Sequence, residues 1–206
     1  IRELDLPRHG LHILPLESTL TPLGEGGKAG DYLAQWNDHD QNRRELARHS
    51  PRDAEAYDDF GLELHQMARL IKPILAIAPP DPASLHPREL VDLARLARMF
   101  RNIEKKKFNA LWRLLTMSSA EYLDTWFESE TLKATKSASG IIGTMLGPRS
   151  PGTAYVLLHH YMGEIDGVFR AWGFAKGGNG SVSAAIAAAA RAFGAEIRTS
   201  APVREI

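Results

Sequence analysis

The sequence predicts an α+β fold in which a helical layer is inserted on a small mixed sheet, and three observations carry that prediction. Short alternating apolar runs crowd residues 11–36. Apolar residues then recur every three or four positions through residues 51–139. A glycine-rich turn, an alanine-rich helix and extended runs close the chain over residues 176–206. A period of about two residues marks a half-buried strand, and one of about 3.6 an amphipathic helix.

Taken in order, residues 11–16, 18–23 and 29–36 read as short strands, and residues 171–175 supply a further strand for one mixed sheet. Between the second and third lies Gly24-Glu25-Gly26-Gly27. It reads as a hairpin turn rather than a phosphate-binding loop, because no buried apolar strand precedes it and the residues after it alternate. Ser50 can cap a helix with Pro51 at its first position, and Asp53 stands where a carboxylate reaches back to the cap. Phe60, Leu64, Met67, Ile71 and Leu75 mark the buried face of that helix. Pro73 is expected to kink it and residues 79–82 to end it.

A second helix is expected from Pro87, with Leu90, Leu93, Leu96, Phe100 and Ile103 as a stripe facing the core. Phe108, Leu111, Trp112 and Leu115 continue the helical spacing. Ser118 and Glu121 then form a capping box, with Met117 and Tyr122 as its hydrophobic staple. Near the C-terminus, Gly177, Gly178 and Gly180 permit positive φ and close approach of the backbone to a neighbour. Ser181 is the expected N-cap of the following helix, Val182, Ile186, Ala189, Ala190 and Phe193 its apolar stripe, and Gly194 its left-handed terminator. Residues 197–199 and 203–206 read as extended segments separated by Pro202.

With 206 residues, 44% of them hydrophobic, the chain can bury one sizeable core or two small ones, and one domain is the default. Lys and Arg total 25 and Asp and Glu total 25, so no global field favours nucleic acid. Cysteine is absent, which excludes a disulfide framework and a dithiol redox centre within these residues. The apolar run from Val182 to Phe193 is interrupted by Ser183 and Arg191 and is shorter than the roughly 20 residues of a membrane span.

Few side chains point to chemistry by themselves. Lys105, Lys106 and Lys107 beside Phe108 and Trp112 read most simply as a solvated helix end, and more sharply as a peripheral membrane contact. His159 and His160 invite an acid/base reading, since His160 and Glu164 share a face if the segment is helical. Adjacent histidines point about 100° apart on a helix, however, so they cannot both line one site. The remaining histidines lack metal-ligand spacing, and no metal site is assigned. No serine sits in a Gly-x-Ser-x-Gly elbow, which leaves a hydrolase without support.

Four blocks carry a resemblance. The run WGFAKGGNGSVSAAIAAAARAFGAEIRTSAPV over residues 172–203 resembles the stretch of phytoene desaturase-like FAD-dependent flavoproteins in which the chain returns from the substrate domain to the FAD domain. Residues 152–163, 50–57 and 71–82 resemble one branch of that group in the same order. The resemblance implies a two-domain flavoprotein, with a substrate domain over residues 1–175 and the return crossing over residues 176–206. It implies hydride transfer from a small, hydrophobic substrate to FAD, with Gly177, Gly178, Gly180 and Val203 toward the cofactor and no catalytic side chain assigned. In such enzymes the flavin performs the redox step.

The family's strand, Gly-x-Gly-x-x-Gly turn and helix for the FAD pyrophosphate are absent from this sequence. The chain starts at Ile1 and stops in a segment read as a strand, so it is expected to be an internal fragment that does not hold FAD tightly alone. The resemblance implies a cytoplasmic protein in a bacterium or a mitochondrial one in a eukaryote. The competing expectation is a non-catalytic helical module that binds a partner or forms a homodimer.

Overall fold

A computed structural model describes residues 3–24, 31–84, 86–101, 103–165, 168–169 and 172–205. After a 3-10 turn at Leu6–His9 come β1 (Ile13–Pro15), β2 (Ser18–Pro22) and β3 (Tyr32–Trp36). The helices α1 (His39–His49), α2 (Pro51–Ile71), α3 (Pro87–Arg101), α4 (Lys105–Thr116), α5 (Ser119–Asp124), α6 (Glu130–Ser137) and α7 (Thr153–His160) follow. The chain then forms β4 (Glu164–Ile165), β5 (Val168–Phe169), β6 (Gly173–Ala175) and α8 (Gly180–Ala192). The class is α+β, as the sequence predicts.

The expected single mixed sheet is replaced, among the described residues, by three two-stranded antiparallel ribbons: β1 with β6, β2 with β3, and β4 with β5. The reason lies at the outer edge of β3. Asn42 and Glu45 of α1 reach back to that edge, where Glu45 Oε1 accepts from Ala34 N (3.0 Å) and Asn42 Oδ1 from Trp36 N (2.8 Å). The Asn42 side-chain amide also donates to Trp36 O. Side chains thus satisfy backbone groups that another strand would otherwise pair with. Arg48 tightens the junction, donating to Glu45 Oε1 (2.8 Å) and Asp31 Oδ1 (2.6 Å) and to Tyr32 O. Burial pushes the Glu45 carboxyl up, but its bonds to Arg48 and the Ala34 amide leave it below the ordinary carboxylate range. No apolar stripe marks α1 in the sequence, because Leu46 is its only buried apolar side chain. The turn expected at residues 24–27 lies largely outside the described residues; the flanking bond Leu23 N to Asp31 O (3.0 Å) continues the β2–β3 ladder.

By its internal contacts the chain forms two units, Ile1–Leu16 with Ala171–Ile206, and Glu17–Arg170. The division joins β1 to the glycine-rich turn, whereas the sequence grouped residues 1–175 together. β1 pairs with β6 in the first unit, so the chain's two end segments form one ribbon.

In the second unit, α2 supplies the spine of the core. Ser50 Oγ accepts from Asp53 N (3.1 Å), which is the expected cap. The Asp53 carboxylate does not turn back to Ser50; it accepts from Glu128 N (2.8 Å) and Ser129 N (2.9 Å) ahead of α6. Phe60, Leu64 and Met67 are buried as expected, and Phe60 meets Phe127 edge-on at 4.9 Å and Tyr161 at 6.1 Å between ring centroids. Pro73 does not kink α2, which ends at Ile71. Pro73 has no N–H to continue the helical ladder, so α2 stops although Lys72 keeps helical φ and ψ of −49° and −44°, and the chain passes into a short 3-10 turn at Ile74–Ala76. Leu75, expected in the core, is consequently half exposed.

The capping box at Ser118 forms in both halves, with Glu121 N donating to Ser118 Oγ (3.1 Å) and Ser118 N to Glu121 Oε2 (3.1 Å). α3 starts at Pro87 as expected, yet it has no buried residue, so its stripe does not make it a core helix. On α4 the buried residues are Ala110, Leu111 and Leu114, while Phe108, Trp112 and Leu115 are exposed.

Asp53 is 1% exposed, and Asp53→Ala leaves two amides at the start of α6 without their acceptor. Urea denaturation of the chain should show a loss of about 2–4 kcal/mol. A change below about 0.5 kcal/mol would show that water replaces the carboxylate without cost.

Candidate functional site

In the first unit, β6 lies antiparallel to β1 with Ala175 opposite Ile13, Phe174 opposite Leu14 and Gly173 opposite Pro15. Lys176 N donates to His12 O (2.8 Å), which carries the ribbon one residue further. The backbone then turns sharply. Gly177 has φ of 87° and Gly178 of 89°, conformations that strain any L side chain, and Gly178 N closes the turn onto Ala175 O (2.9 Å). A Cβ placed on Gly177, Gly178 or Gly180 meets no atom within 4 Å, so the turn borders open space.

α8 leaves this turn directly. Asn179, not Ser181, occupies the N-cap position, and no side chain caps the helix there. Ser181 lies one residue inside the helix, where its hydroxyl donates to Gly178 O (2.8 Å). Ala185 and Ala189 are buried, and Val182 packs with them against Leu6, Leu11, Ile13 and Ala175. Two expected stripe members face outward instead, Ile186 at 44% and Phe193 at 75% exposure. Alanine sets the buried face because the short side chains let the helix settle close to the ribbon. Gly194, at φ of 89°, ends α8 in a Schellman motif: Gly194 N bonds Arg191 O (2.9 Å) and Ala195 N bonds Ala190 O (3.0 Å).

The extended segments expected beyond Gly194 do not become strands among the described residues. A strand is held by its ladder, and no strand lies paired with residues 195–205. Val203 is accordingly exposed in irregular chain. The arrangement that remains is strand, left-handed glycine pair and uncapped helix start. It can admit a ligand close to the backbone.

The second unit holds a cleft of about 550 Å³ between α2 and α4, lined by Glu63, Met67, Lys106, Arg113, Thr125 and Trp126 among others. Tyr122 donates to Glu63 Oε1 (2.8 Å) beside it, and Arg113 donates to Thr125 Oγ1 (2.8 Å). Burial and the Glu63 charge push the Tyr122 phenol well above its ordinary range, so it remains a protonated donor and not an acid/base group. No motif or periodicity marks this cleft, whose polar residues come from separate helices.

His159 and His160 end α7, with ring centroids 6.1 Å apart and planes at 87°. The helix stops at His160 and Glu164 falls in β4, so the helical pairing of those two residues does not form. Lys136, unremarked in the sequence, is 8% exposed; its Nζ donates to Gln35 Oε1 (2.8 Å) and lies 5.2 Å from the Tyr57 ring centre. Among the described residues no cluster of three His, Cys, Asp or Glu could hold a metal ion.

The chain is similar along 99% of its length to two proteins named pyridine nucleotide-disulfide oxidoreductase domain-containing protein 2, at 35% identity in Rattus norvegicus and 32% in Mus musculus. It spans 37% of the length of each. No family model matches the chain, and no solved structure matches it.

Burial, and then the neighbouring His159, hold the His160 pKa below its ordinary value of 6.5. The folded state thus favours neutral His160, while the unfolded state takes up its proton near 6.5. This contribution is intact above that pH and is lost as pH falls toward the folded pKa. His160→Gln should therefore reduce the loss of thermal stability between pH 7 and 5, measured by calorimetry beside the parent chain. Parallel profiles would show that His160 carries no such linkage.

Proposed function

We propose that this chain is the substrate-side part of an FAD-dependent oxidoreductase of the phytoene desaturase-like kind. The observation that carries the reading is the open left-handed turn at Gly177 and Gly178 between β6 and α8, in a chain similar along 99% of its length to proteins with an oxidoreductase domain in their name. Without a Cβ, Gly177, Gly178 and Gly180 leave room for a flat ring system or a phosphate-bearing group against the backbone, which fits a flavin cofactor. The sequence contains no Gly-x-Gly-x-x-Gly fingerprint, so the pyrophosphate site is not among these residues. It contains no cysteine either, so a dithiol mechanism has no carrier here.

Bound FAD supplies the hydride acceptor in such an enzyme. This chain's part is positional: the glycine turn admits the cofactor, and Val203 lies in the segment that approaches it. Reaction of the dehydrogenase or desaturase type follows from that division of labour. A second reading, a non-catalytic helical module, draws support from α3, where no side chain is buried.

The longer protein carrying this chain should purify yellow with flavin absorbance, and the 206-residue chain alone should be colourless. Gly178→Val in the longer protein should lower bound flavin or its photoreduction by tenfold or more, because both φ and the open space are lost. Stoichiometric flavin on the 206-residue chain alone would show that its binding site is complete here. A colourless longer protein would end the FAD reading and leave the interaction module.

A further inference from the structure

The cleft of about 550 Å³ between α2 and α4 holds a cation that is fixed in place yet not neutralised. Arg113 is half-buried in its lining. Its Nη2 donates to Thr125 Oγ1 (2.8 Å), and that hydroxyl is itself oriented by donating to Tyr122 O (2.7 Å). The guanidinium carbon also stands 5.8 Å from the centre of the Tyr122 ring, whose hydroxyl donates to Glu63 (2.8 Å). Among the described residues no carboxylate pairs with Arg113, so neutral groups hold it and its charge is left unmatched. The carboxylates of the lining are committed or wet. Glu63 accepts from Tyr122, Glu104 pairs with Lys107 at 3.5 Å, and Asp59 is exposed, where water weakens its field. Lys106 adds a second cation to the lining with no described ion pair. Met67, Ala110 and Trp126 supply apolar wall, the last packed edge-on against Phe60 with 5.8 Å between ring centroids.

We propose that this cleft binds a small organic acid, with its carboxylate on Arg113 and its apolar body against Met67, Ala110 and Trp126. A guanidinium presents a planar fork of donors that matches a carboxylate. Because Thr125 and the Tyr122 ring already hold that fork, little side-chain freedom is lost when the acid binds. The volume falls within the roughly 300–1,000 Å³ of small-molecule sites. A neutral apolar molecule is a poorer occupant, since it would take water from the guanidinium and return no acceptor. An inorganic anion would leave the apolar wall unused. The cleft lies wholly in the second unit, so this inference stands apart from the flavin reading.

The test is titration calorimetry on the longer protein carrying this chain, with hexanoate as the probe and hexanamide as its uncharged counterpart. Hexanoate should bind in the millimolar range, which suits so small a ligand. Hexanamide should bind roughly tenfold more weakly or not at all, because it cannot accept a charge-assisted pair of hydrogen bonds. Arg113→Gln should weaken hexanoate by about tenfold or more and leave hexanamide unchanged. Arg113→Lys should recover only part of that loss, since it restores the charge without the fork. Lys106 is exposed, so Lys106→Gln leaves the fold intact and should cost about threefold, with a weaker dependence on salt. Should the Arg113 variants melt early, the Lys106 variant and the difference between the two probes still decide. Absence of hexanoate binding overturns the proposal. Equal binding of hexanamide also overturns it, by showing an apolar cleft that does not read charge. Hexanoate binding that both the Arg113 and Lys106 variants leave unchanged overturns it too, by placing the ligand elsewhere in the longer protein.

Discussion

The second unit depends on one buried carboxylate. Asp53 sits in the first turn of α2 and accepts the amides of Glu128 and Ser129, which are 75 and 76 residues away in the chain. This fixes the start of α6 against the start of α2 and aims the chain so that Phe127 reaches Phe60. Glu128 is held from its other side, where Ser50 Oγ donates to its carboxylate at 2.8 Å. Serine and aspartate of one helix start thus organise the approach to another. Carboxylate bonds to backbone amides are stronger than neutral ones, and burial removes the competing water. The aromatic contacts of Phe60 add packing to a geometry that these bonds already define.

A similar economy governs the edge of β3. Asn42 and Glu45 lie three residues apart on α1 and meet amides two residues apart on the strand, so one helical turn spans the strand repeat. The helix is short and polar, and what holds it is hydrogen bonding, not an apolar stripe. This is also why a search for periodic hydrophobic residues passes over it. Its cap is visible in the sequence at Asp38, whose carboxylate accepts Gln41 N at 2.7 Å, but a cap without an amphipathic run after it says little.

Legibility in the sequence followed the range of the interaction. Local devices were readable: the Ser118–Glu121 box, the start of α3 at Pro87, and Gly194 as terminator all form as their residue types dictate. The left-handed glycines of the candidate site were readable for the same reason, since φ is a local property. Asp53 was half readable, because its amide completes a local cap while its carboxylate chooses a partner distant in sequence. Lys136 was not readable at all; its place beside Tyr57 and Gln35 comes from packing among α6, α2 and β3.

The helical stripes carry a further lesson about what amphipathicity means. A stripe reports that a face needs a cover, and says nothing about what supplies it. On α2 the cover is the protein's own core; on α8 the small side chains Ala185 and Ala189 took the buried side while Ile186 and Phe193 turned outward. On α3 the described residues supply almost none. Size alone therefore misorders the faces, because close packing rewards a short side chain wherever two backbones approach.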